Sequence, residues 1–401
     1  MSWFGVIRYK IWHDLWENKG RTLRVVAIIA VGAFAVGVVL GGREFISRDI
    51  ARTWQVSNPA TIGFEVQPPV DDAMLESLEN LRGIDVVAGW SQQRVKWRPG
   101  PGEPWQAAIL VAIDDYEAQT IRKLMLDEGH WPDRKLMGIQ RGRGLTVGDQ
   151  VEFEINDKIH SVELNGVLYN AAYPPAFVAA EPMFFTTRSR FQALTGDARS
   201  RVVLATIPNY SDERVEMAAD LLQNELEKQD VTVEPAIPKP GGFTQRTIRP
   251  DRFIVQDALD GVFLMLTIMA VATLILGLLL VYNTINAIIV QQVNQIGIMK
   301  AIGATTGQIL LIYFITVLIY GLLAVLIAVP LGALGAYGMR LGLLGRLNMI
   351  LGPFGLSITA VLAQTAIAVV SPLLIAIIPI LSGARITVRE AVSTYGLGGS
   401  V

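Results

Sequence analysis

Four long apolar runs divide the chain into membrane-spanning segments and a polar body. The first run covers residues 23–42, and three further stretches, 261–299, 301–339 and 347–384, contain no acidic or basic residue. A membrane-spanning helix needs about 20 largely apolar residues, and Asn and Gln residues mark the end of the second span. The pattern therefore predicts four transmembrane helices: 23–42, 261–290, 307–338 and 357–381.

The segment before the first span, residues 1–22, predicts an amphipathic helix at the membrane surface. Four apolar residues recur at helical spacing: Phe4, Ile7, Ile11 and Leu15. The indole rings suit the headgroup zone of the membrane: Trp3, Trp12 and Trp16. This helix either anchors the chain to the membrane or has a direct functional role. We expect the first span to be retained, because Asp14 and Glu17 precede it and no Ala-x-Ala cleavage site follows it.

Residues 43–258 predict an α+β domain with two similar halves. Each half has the order strand, helix, strand, and the halves lie near 55–112 and 200–236. Between them, near 113–199, apolar and polar residues alternate in short runs, which predicts a β-rich insert. The expected fold class is therefore an α-helical membrane protein with four transmembrane helices plus an α+β extracytoplasmic domain.

The basic residues set the expected orientation in the cell (plasma or inner) membrane. Several flank the first span on its N-terminal side, and Lys300 and Arg385 follow the second and fourth spans. By the positive-inside rule, both termini, the segment 291–306 and the tail 382–401 are cytoplasmic. The outer loop 339–356 then contains Arg340 and Arg346.

The composition agrees with this architecture and excludes several kinds of chemistry. Apolar residues make up 51% of the 401 residues and charged residues 17%, and the mean hydropathy is +0.40. These values exclude a nucleic-acid-binding protein of general basic character. The charge is divided by region: residues 43–257 carry a net charge of −8 and the remainder +6. The absence of cysteine excludes disulfides and cysteine nucleophiles, and three scattered histidines argue against a histidine metal site.

The chain contains none of the common catalytic motifs. A P-loop requires G-x-x-x-x-G-K-[ST], and the sequence has no Gly-Lys dipeptide. The H-E-x-x-H, G-x-S-x-G and S-x-x-K constellations are also absent. The predicted spans hold no buried acid or base, which disfavours an ion-coupled carrier, since such carriers keep ionisable groups at membrane depth. We therefore expect a non-enzymatic chain without a cofactor or metal of its own.

Two features of the membrane part are candidate interaction sites. Ala33, Gly37 and Gly41 recur at every fourth residue and predict a close helix-packing face, within one chain or between two. The connection between the second and third spans is short and amphiphilic. We expect its apolar residues to form a knob beside Lys300: Ile296, Met299, Ile302 and Gly303. It is either a plain connector or a docking element.

This connection resembles a signature of the FtsX-like permeases, the membrane subunits of MacB/LolC/FtsX-type ABC transporters. The matching residues are IGIMKAIGAT, at 296–305. Residues 15–23 (LWENKGRTL) and 384–392 (ARITVREAV) also resemble the family's segments before the first span and after the last. Residues 129–132 and 145–151 resemble the MacB-like periplasmic domain, in which two α/β halves form a porter and the β-rich insert forms a sabre.

The resemblance implies mechanical coupling to a separate ABC ATPase subunit, which would bind ATP and Mg. That subunit would bind a coupling segment made of Gln295, Ile296, Gly297, Ile298, Met299, Lys300, Ala301, Ile302, Gly303 and Ala304. Dimerisation of two ATPase subunits would draw two membrane subunits, identical or homologous, together. The resulting motion of the outer domain would move lipophilic, lipoprotein, drug or peptide cargo. Membrane lipids and an extracytoplasmic adaptor or hydrolase are further implied partners.

The sequence also departs from the family pattern and leaves other functions open. Gln292, Asn294 and Gln295 stand where the family often has basic residues and a glutamate, so docking would depend on apolar contacts and on Lys300. One alternative is an FtsX-like signalling subunit that activates a cell-wall hydrolase, and another is a receptor or scaffold without ATP coupling. Exposed aromatic candidates in the outer domain are expected to be packing residues: Tyr169, Tyr173, Phe177 and Phe184.

Overall fold

The structure is a computed structural model, and it describes residues 3–173, 176, 181–239, 243–345, 347 and 349–386. Several predicted features lie outside the described residues: Phe177, Arg346, the tail from Thr387 onward and the side chains of Trp3, Phe4 and Ile7. The chain divides into a helical unit, residues 1–46, 260–340 and 353–401, and an α/β unit, residues 47–259 and 341–352.

The helices account for all four predicted spans. In chain order they are α1 (Trp3–Glu17), α2 (Lys19–Val56), α3 (Asp72–Glu79), α4 (Arg188–Thr195), α5 (Asp212–Glu227), α6 (Gln256–Gln291), α7 (Val293–Ala301), α8 (Thr306–Leu344) and α9 (Ile358–Arg385). Four of them, α2, α6, α8 and α9, are long and apolar enough to cross a membrane. The predicted fold class, a helical membrane protein with an α+β domain, is confirmed.

The helix α2 extends well past the predicted first span. Its 38 residues correspond to about 57 Å at the α-helical rise, whereas the hydrocarbon core of a bilayer is about 30 Å thick. The sequence predicts the outer domain to begin at residue 43, but the helix continues to Val56. It continues because residues 43–56 contain neither Gly nor Pro, so nothing in the local sequence ends it.

Small residues let the long helices approach one another within a single chain. Ala324 and Ala328 of α8 and Ala368 of α9 are fully buried in the core of the helical unit. A Cβ built on Gly321 would lie 2.6 Å from the backbone oxygen of Ala368, so only glycine allows this backbone contact. Gln364 of α9 is also buried, and its side chain donates a hydrogen bond to the backbone oxygen of Ala328 at 3.2 Å.

One buried cation, Arg340, lies beyond the predicted third span but inside its helix. The sequence predicts Arg340 in the outer loop, but it lies inside α8 and is 2% exposed. Its Nη1 donates to the backbone oxygen of Pro353 at 3.0 Å, and its guanidinium lies 5.7 Å from the ring centroid of Phe45. The helix extends to Leu344, and the arginine contacts chain on both sides of it in sequence, at Phe45 and at Pro353.

The strands of the α/β unit are β1 (Ile62–Val70), β2 (Val86–Arg98), β3 (Gln106–Ile113), β4 (Met125–Gly129), β5 (Met137–Gln140), β6 (Gln150–Ile155), β7 (Lys158–Tyr169), β8 (Met183–Thr187), β9 (Ser200–Thr206), β10 (Thr232–Pro235), β11 (Ile237–Lys239) and β12 (Phe243–Gln245). The two predicted halves, β1-α3-β2 and β9-α5-β10, form one antiparallel sheet in the order β10-β1-β9-β2. This interleaved arrangement is the split βαβ motif. Apolar residues of α3 and α5 pack with this sheet in one core.

The strands predicted for the β-rich insert form a closed set of pairs only together with β2 and β3, which the sequence places in the first half. In ring order the strands are β2, β3, β8, β5, β7 and β6, and β6 pairs again with β2. Its interior is filled by side chains such as Phe153 and Phe184, both fully buried. The hairpin between β6 and β7 turns at Asn156 and Asp157, both with positive φ, as a two-residue hairpin of this kind requires.

Candidate functional site

The candidate site is the short helix α7, which joins the second and third long helices. Its C-terminal end is closed by Gly303, whose φ is +100°. The Gly303 N–H donates to the Lys300 backbone oxygen at 3.0 Å, and the Ala304 N–H donates to the Met299 oxygen at 2.9 Å. This pair of bonds is the Schellman motif, and it turns the chain sharply from α7 toward α8.

The next residues begin α8 with a capping box. The Thr305 Oγ1 accepts a hydrogen bond from the Gln308 N–H at 3.4 Å, and the Gln308 Oε1 accepts one from the Thr305 N–H at 2.8 Å. The two side chains thus satisfy backbone donors that a helix start leaves free. Because the Schellman motif and the capping box share a four-residue connection, α7 is held at a defined angle to α8.

One face of α7 is fixed to the long helices. Ile296 is fully buried, Gly297 is buried beside it, and Ile296 belongs to the same core as residues of α2, α6, α8 and α9. The residue before α7, Gln292, is 8% exposed, and its Oε1 accepts a 2.8 Å hydrogen bond from the Tyr313 hydroxyl of α8. These contacts fix α7 at its beginning and along its inner side.

The C-terminal half of α7 has two further attachments. The Lys300 ammonium donates to the backbone oxygen of Ile386, the residue after α9, at 2.7 Å. The half-buried Met299 packs beside α1, where the Lys10 ammonium lies 3.5 Å from its sulfur. Burial lowers the pKa of Lys10, against the opposing effect of nearby Asp14. The helix therefore contacts the middle of α1 and the residue that follows α9.

The opposite face of α7 is exposed and largely apolar. Ile298 is 64% exposed and Ile302 is 82% exposed. They are accompanied by exposed Asn294, Gln295 and Ala301, at positions that share one side of a helix. We call these five residues the α7 outer face. It has no charged side chain, so any partner must recognise it by shape and apolar contact.

The structure separates residues that the sequence groups into one apolar knob. Ile296 faces the core of the helical unit and Ile302 faces outward, because they are six positions apart and lie on different sides of the helix. Lys300, expected as a docking cation, donates to the chain's own Ile386. Sequence reasoning missed Gln308 and Tyr313; the T-x-x-Q spacing before an apolar run is the signal that predicts the capping role of Gln308.

The predicted packing residues of the first span contact helices of the same chain. Ala33 is fully buried. A Cβ built on Gly37 would lie 1.5 Å from the Gln364 side-chain nitrogen, and one on Gly41 would lie 3.1 Å from the Ala336 Cβ. These residues let α2 pack closely against α8 and α9, and they lie away from the α7 outer face in sequence.

The α/β unit contains a separate open cleft of about 560 Å³ between α5 and the start of α6. Among its charged side chains, Arg252 pairs with Asp257. The Tyr210 hydroxyl donates to the Asp212 carboxylate, and burial together with that carboxylate raises the pKa of Tyr210 to about 12.

Within the described residues, His, Asp and Glu side chains form no group that could hold a metal ion.

The aromatic candidates of the outer domain are mostly packing residues. Phe184 is fully buried, and Tyr169 is 9% exposed. Tyr173 is half-buried, with the Arg122 guanidinium 5.2 Å from its ring centroid. The structure thus places these side chains in or beside the domain core.

Comparisons with known proteins connect the region around α7 to one family. The family model of the FtsX-like permease C-terminal domain matches residues 267–388, which include α7, α8, α9 and most of α6. No curated protein matches the chain.

Two solved structures resemble part of the chain. One is the extracellular domain of the noncanonic ABC-type transporter YknZ from Gram-positive bacteria, with 16% identity, a TM-score of 0.30, and coverage of 43% of this chain and 99% of that one. The other is the periplasmic region of MacB from Actinobacillus actinomycetemcomitans, with 13% identity, a TM-score of 0.31, and coverage of 46% and 92%.

Proposed function

We propose, from the premise that residues 267–388 form an FtsX-like permease C-terminal domain, that the chain is the non-catalytic membrane subunit of an ABC transporter. A separate ATPase subunit would bind ATP and Mg, since this sequence has no P-loop of its own. The α/β unit would lie outside the cytoplasm and both termini inside, as the basic flanks of the spans favour. The α7 outer face would then be cytoplasmic.

The observation that carries this proposal is the exposed apolar pair on a firmly held helix. Ile298 and Ile302 protrude from α7, while buried Ile296 fixes the helix to the core of the helical unit. A helix whose outer residues are aliphatic docks into a hydrophobic groove of a partner, and burial of such anchors supplies most of the binding energy. The ATPase would provide that groove.

The attachments of α7 support a mechanical coupling. Since the Schellman motif and the capping box join α7 to α8, a displacement of α7 would move the beginning of α8. The Lys300 bond to Ile386 would move the end of α9 with it. The helices α2 and α6 continue across the boundary of the two units, and they would relay the motion to the outer domain.

A second membrane subunit, identical or homologous, would complete the assembly. Two ATPases that close symmetrically need one membrane subunit each. The helix α6 leaves much of its apolar surface uncovered within one chain: Leu264, Met265, Ile268 and Met269 are each at least 60% exposed. That surface is available to lipid and to the second subunit. Cargo would be lipophilic molecules, lipoproteins, drugs or peptides moved by the outer domain.

The test is affinity capture of the tagged chain from its native cell in mild detergent, with mass spectrometry of the captured proteins. We expect a P-loop ATPase with the wild type. The double variant Ile298→Asp/Ile302→Asp should weaken its binding by about 30-fold, since loss of a central apolar anchor costs about 2 kcal/mol. The matched control is Ile159→Asp, which changes a 58% exposed isoleucine of β7.

The captured proteins also separate the alternative functions. A cell-wall hydrolase recovered together with the ATPase would favour signalling over transport. A well-folded wild type that captures no P-loop ATPase would overturn the proposal and favour a receptor or scaffold. Equal ATPase recovery by the wild type and the double variant would show that the α7 outer face does not bind the ATPase.

A further inference from the structure

The helix α1 carries an exposed aromatic surface with a cation at its edge. Trp12 is 68% exposed and Trp16 is 62% exposed, and their rings stack at 5.9 Å between centroids. The Lys19 ammonium lies 4.3 Å from the centroid of the Trp16 ring. Leu23, one turn further on, is 65% exposed. We call these four residues the tryptophan face.

The other side of α1 packs against the candidate coupling site. Ile11 is 5% exposed and packs with Ile312 of α8, and Leu15, Met299, Ile315 and Ile319 pack against this pair. The Lys10 ammonium lies 3.5 Å from the Met299 sulfur. Because Met299 belongs to α7, whatever holds the tryptophan face also restrains the helix that carries the α7 outer face.

The charge around this surface selects its ligand. Residues 8–24 contain five basic and two acidic residues, a balance of +3. One of the acids, Glu17, lies 3.4 Å from the imidazole of His13, whereas Lys19 and Arg24 are both exposed. Exposed indoles beside exposed cations, directly before an apolar span, match the headgroup zone of an anionic leaflet.

We propose that the tryptophan face binds anionic phospholipid headgroups and that this binding sets the position of α7. The Lys19 ammonium contacts the lipid phosphate while the two indoles lie among the headgroups and upper acyl chains. A lipid is favoured over a protein as the ligand because the surface continues into Leu23, which opens the first apolar run. The effect on ATP coupling rests on the proposed function; the lipid contact and the movement of α7 do not.

The lipid contact is tested by fluorescence quenching of the chain reconstituted in vesicles. Brominated phosphatidylglycerol or brominated phosphatidylcholine is the quencher, at the same fraction of total lipid. The difference in quenching between the wild type and Trp12→Phe/Trp16→Phe gives the contribution of these two indoles among the eight tryptophans. We expect brominated phosphatidylglycerol to quench them more strongly than brominated phosphatidylcholine. Lys19→Gln should reduce the association of phosphatidylglycerol, relative to phosphatidylcholine, about fivefold. The control Lys228→Gln changes an exposed lysine of the α/β unit and should have no effect.

The position of α7 is tested without any ATPase. The chain contains no cysteine, so Ile302→Cys provides a single labelling position, and an environment-sensitive fluorophore there reports on the α7 outer face. We expect its emission to differ between vesicles of phosphatidylcholine alone and vesicles with about three-tenths phosphatidylglycerol, a fraction typical of anionic membranes. Lys19→Gln should remove this difference and Lys228→Gln should keep it.

Each readout can overturn its part of the proposal. Equal quenching by the two brominated lipids would show that the tryptophan face has no anionic ligand, and strong protection of both indoles from either lipid would assign the surface to a protein. Preferential quenching with unchanged label emission would overturn the link to α7. Failure to capture an ATPase would overturn only the proposed function, because neither readout depends on it.

Discussion

At the residue scale, Gly303 has a backbone conformation that residues with a side chain rarely adopt. Its φ is +100°, so Gly303→Ala should lower the free energy of unfolding by about 1–2 kcal/mol. Gly303→Pro should have a larger effect and abolish coupling, because proline also removes the N–H that donates to Lys300. Thermal unfolding in detergent measures both losses of stability, and the loss of ATP-dependent function measures the loss of coupling.

The matched control for this prediction is Gly307→Ala, four residues away. A Cβ at Gly307 would meet no atom within 4 Å, and the residue lies inside α8, so alanine should be neutral or slightly stabilising. Equal losses of stability in the two alanine variants would contradict the role assigned to the Schellman motif.

Arg340 is the second residue whose role follows from its burial. Arg340→Leu removes the hydrogen bond to the Pro353 oxygen and the contact with Phe45. Because buried polar groups would lose their partner, we expect a loss of about 1–3 kcal/mol in the free energy of unfolding. Arg82→Leu, at an exposed position of the α/β unit, should change it by less than about 0.5 kcal/mol. An unfolding midpoint for Arg340→Leu equal to that of the control would mean that this arginine does not hold the end of α8.

At the element scale, the sequence predicts what depends on local periodicity. The four apolar runs, the order of strands and helices in the two halves, and the helix end at Gly303 all follow from patterns of a few residues. The closed ring of strands around Phe153 does not follow from such local patterns, because β2 pairs with β6 more than fifty residues later in the sequence. The burial of Arg340 depends on segments that follow it, and the inward side of α7 depends on contacts with other helices.

An arginine clamp joins three segments of the α/β unit. Arg188, at the start of α4, lies 2.7 Å from Asp72 of α3 and 2.8 Å from Asp114, and its Nε donates to the Ala198 oxygen at 2.9 Å. Since both carboxylates are exposed, each pair contributes well under 1 kcal/mol. We expect Arg188→Ala to reduce the free energy of unfolding by about 1–2 kcal/mol, with loss of amide protection in α3 and α4.

The control for this clamp is Arg199→Ala. Arg199 pairs only two residues away, with Asp197, so its removal should change stability by less than about 0.5 kcal/mol. Hydrogen exchange and thermal unfolding measure both variants. If α3 and α4 keep their protection in Arg188→Ala, the arginine does not connect them.

At the scale of the whole molecule, an FtsX-like permease domain is combined with a large α/β unit in one chain. The absence of the common catalytic motifs from the sequence and the exposed α7 outer face fit one account. In it, the chain supplies motion and a docking surface, and a partner supplies ATP hydrolysis. In this account the cargo is determined by the outer domain and the second subunit, whereas the energy enters through α7.

The most direct test of that account is site-specific photo-crosslinking from position 302 in the living cell. Ile302 is replaced by a photoreactive amino acid, and Ile159 carries the same replacement as the control, since both side chains are exposed on the wild-type chain. The account predicts a crosslink from position 302, and none from position 159, to a chain that contains a P-loop. Crosslinks from position 302 to lipid alone, or to a chain without a P-loop, would contradict it.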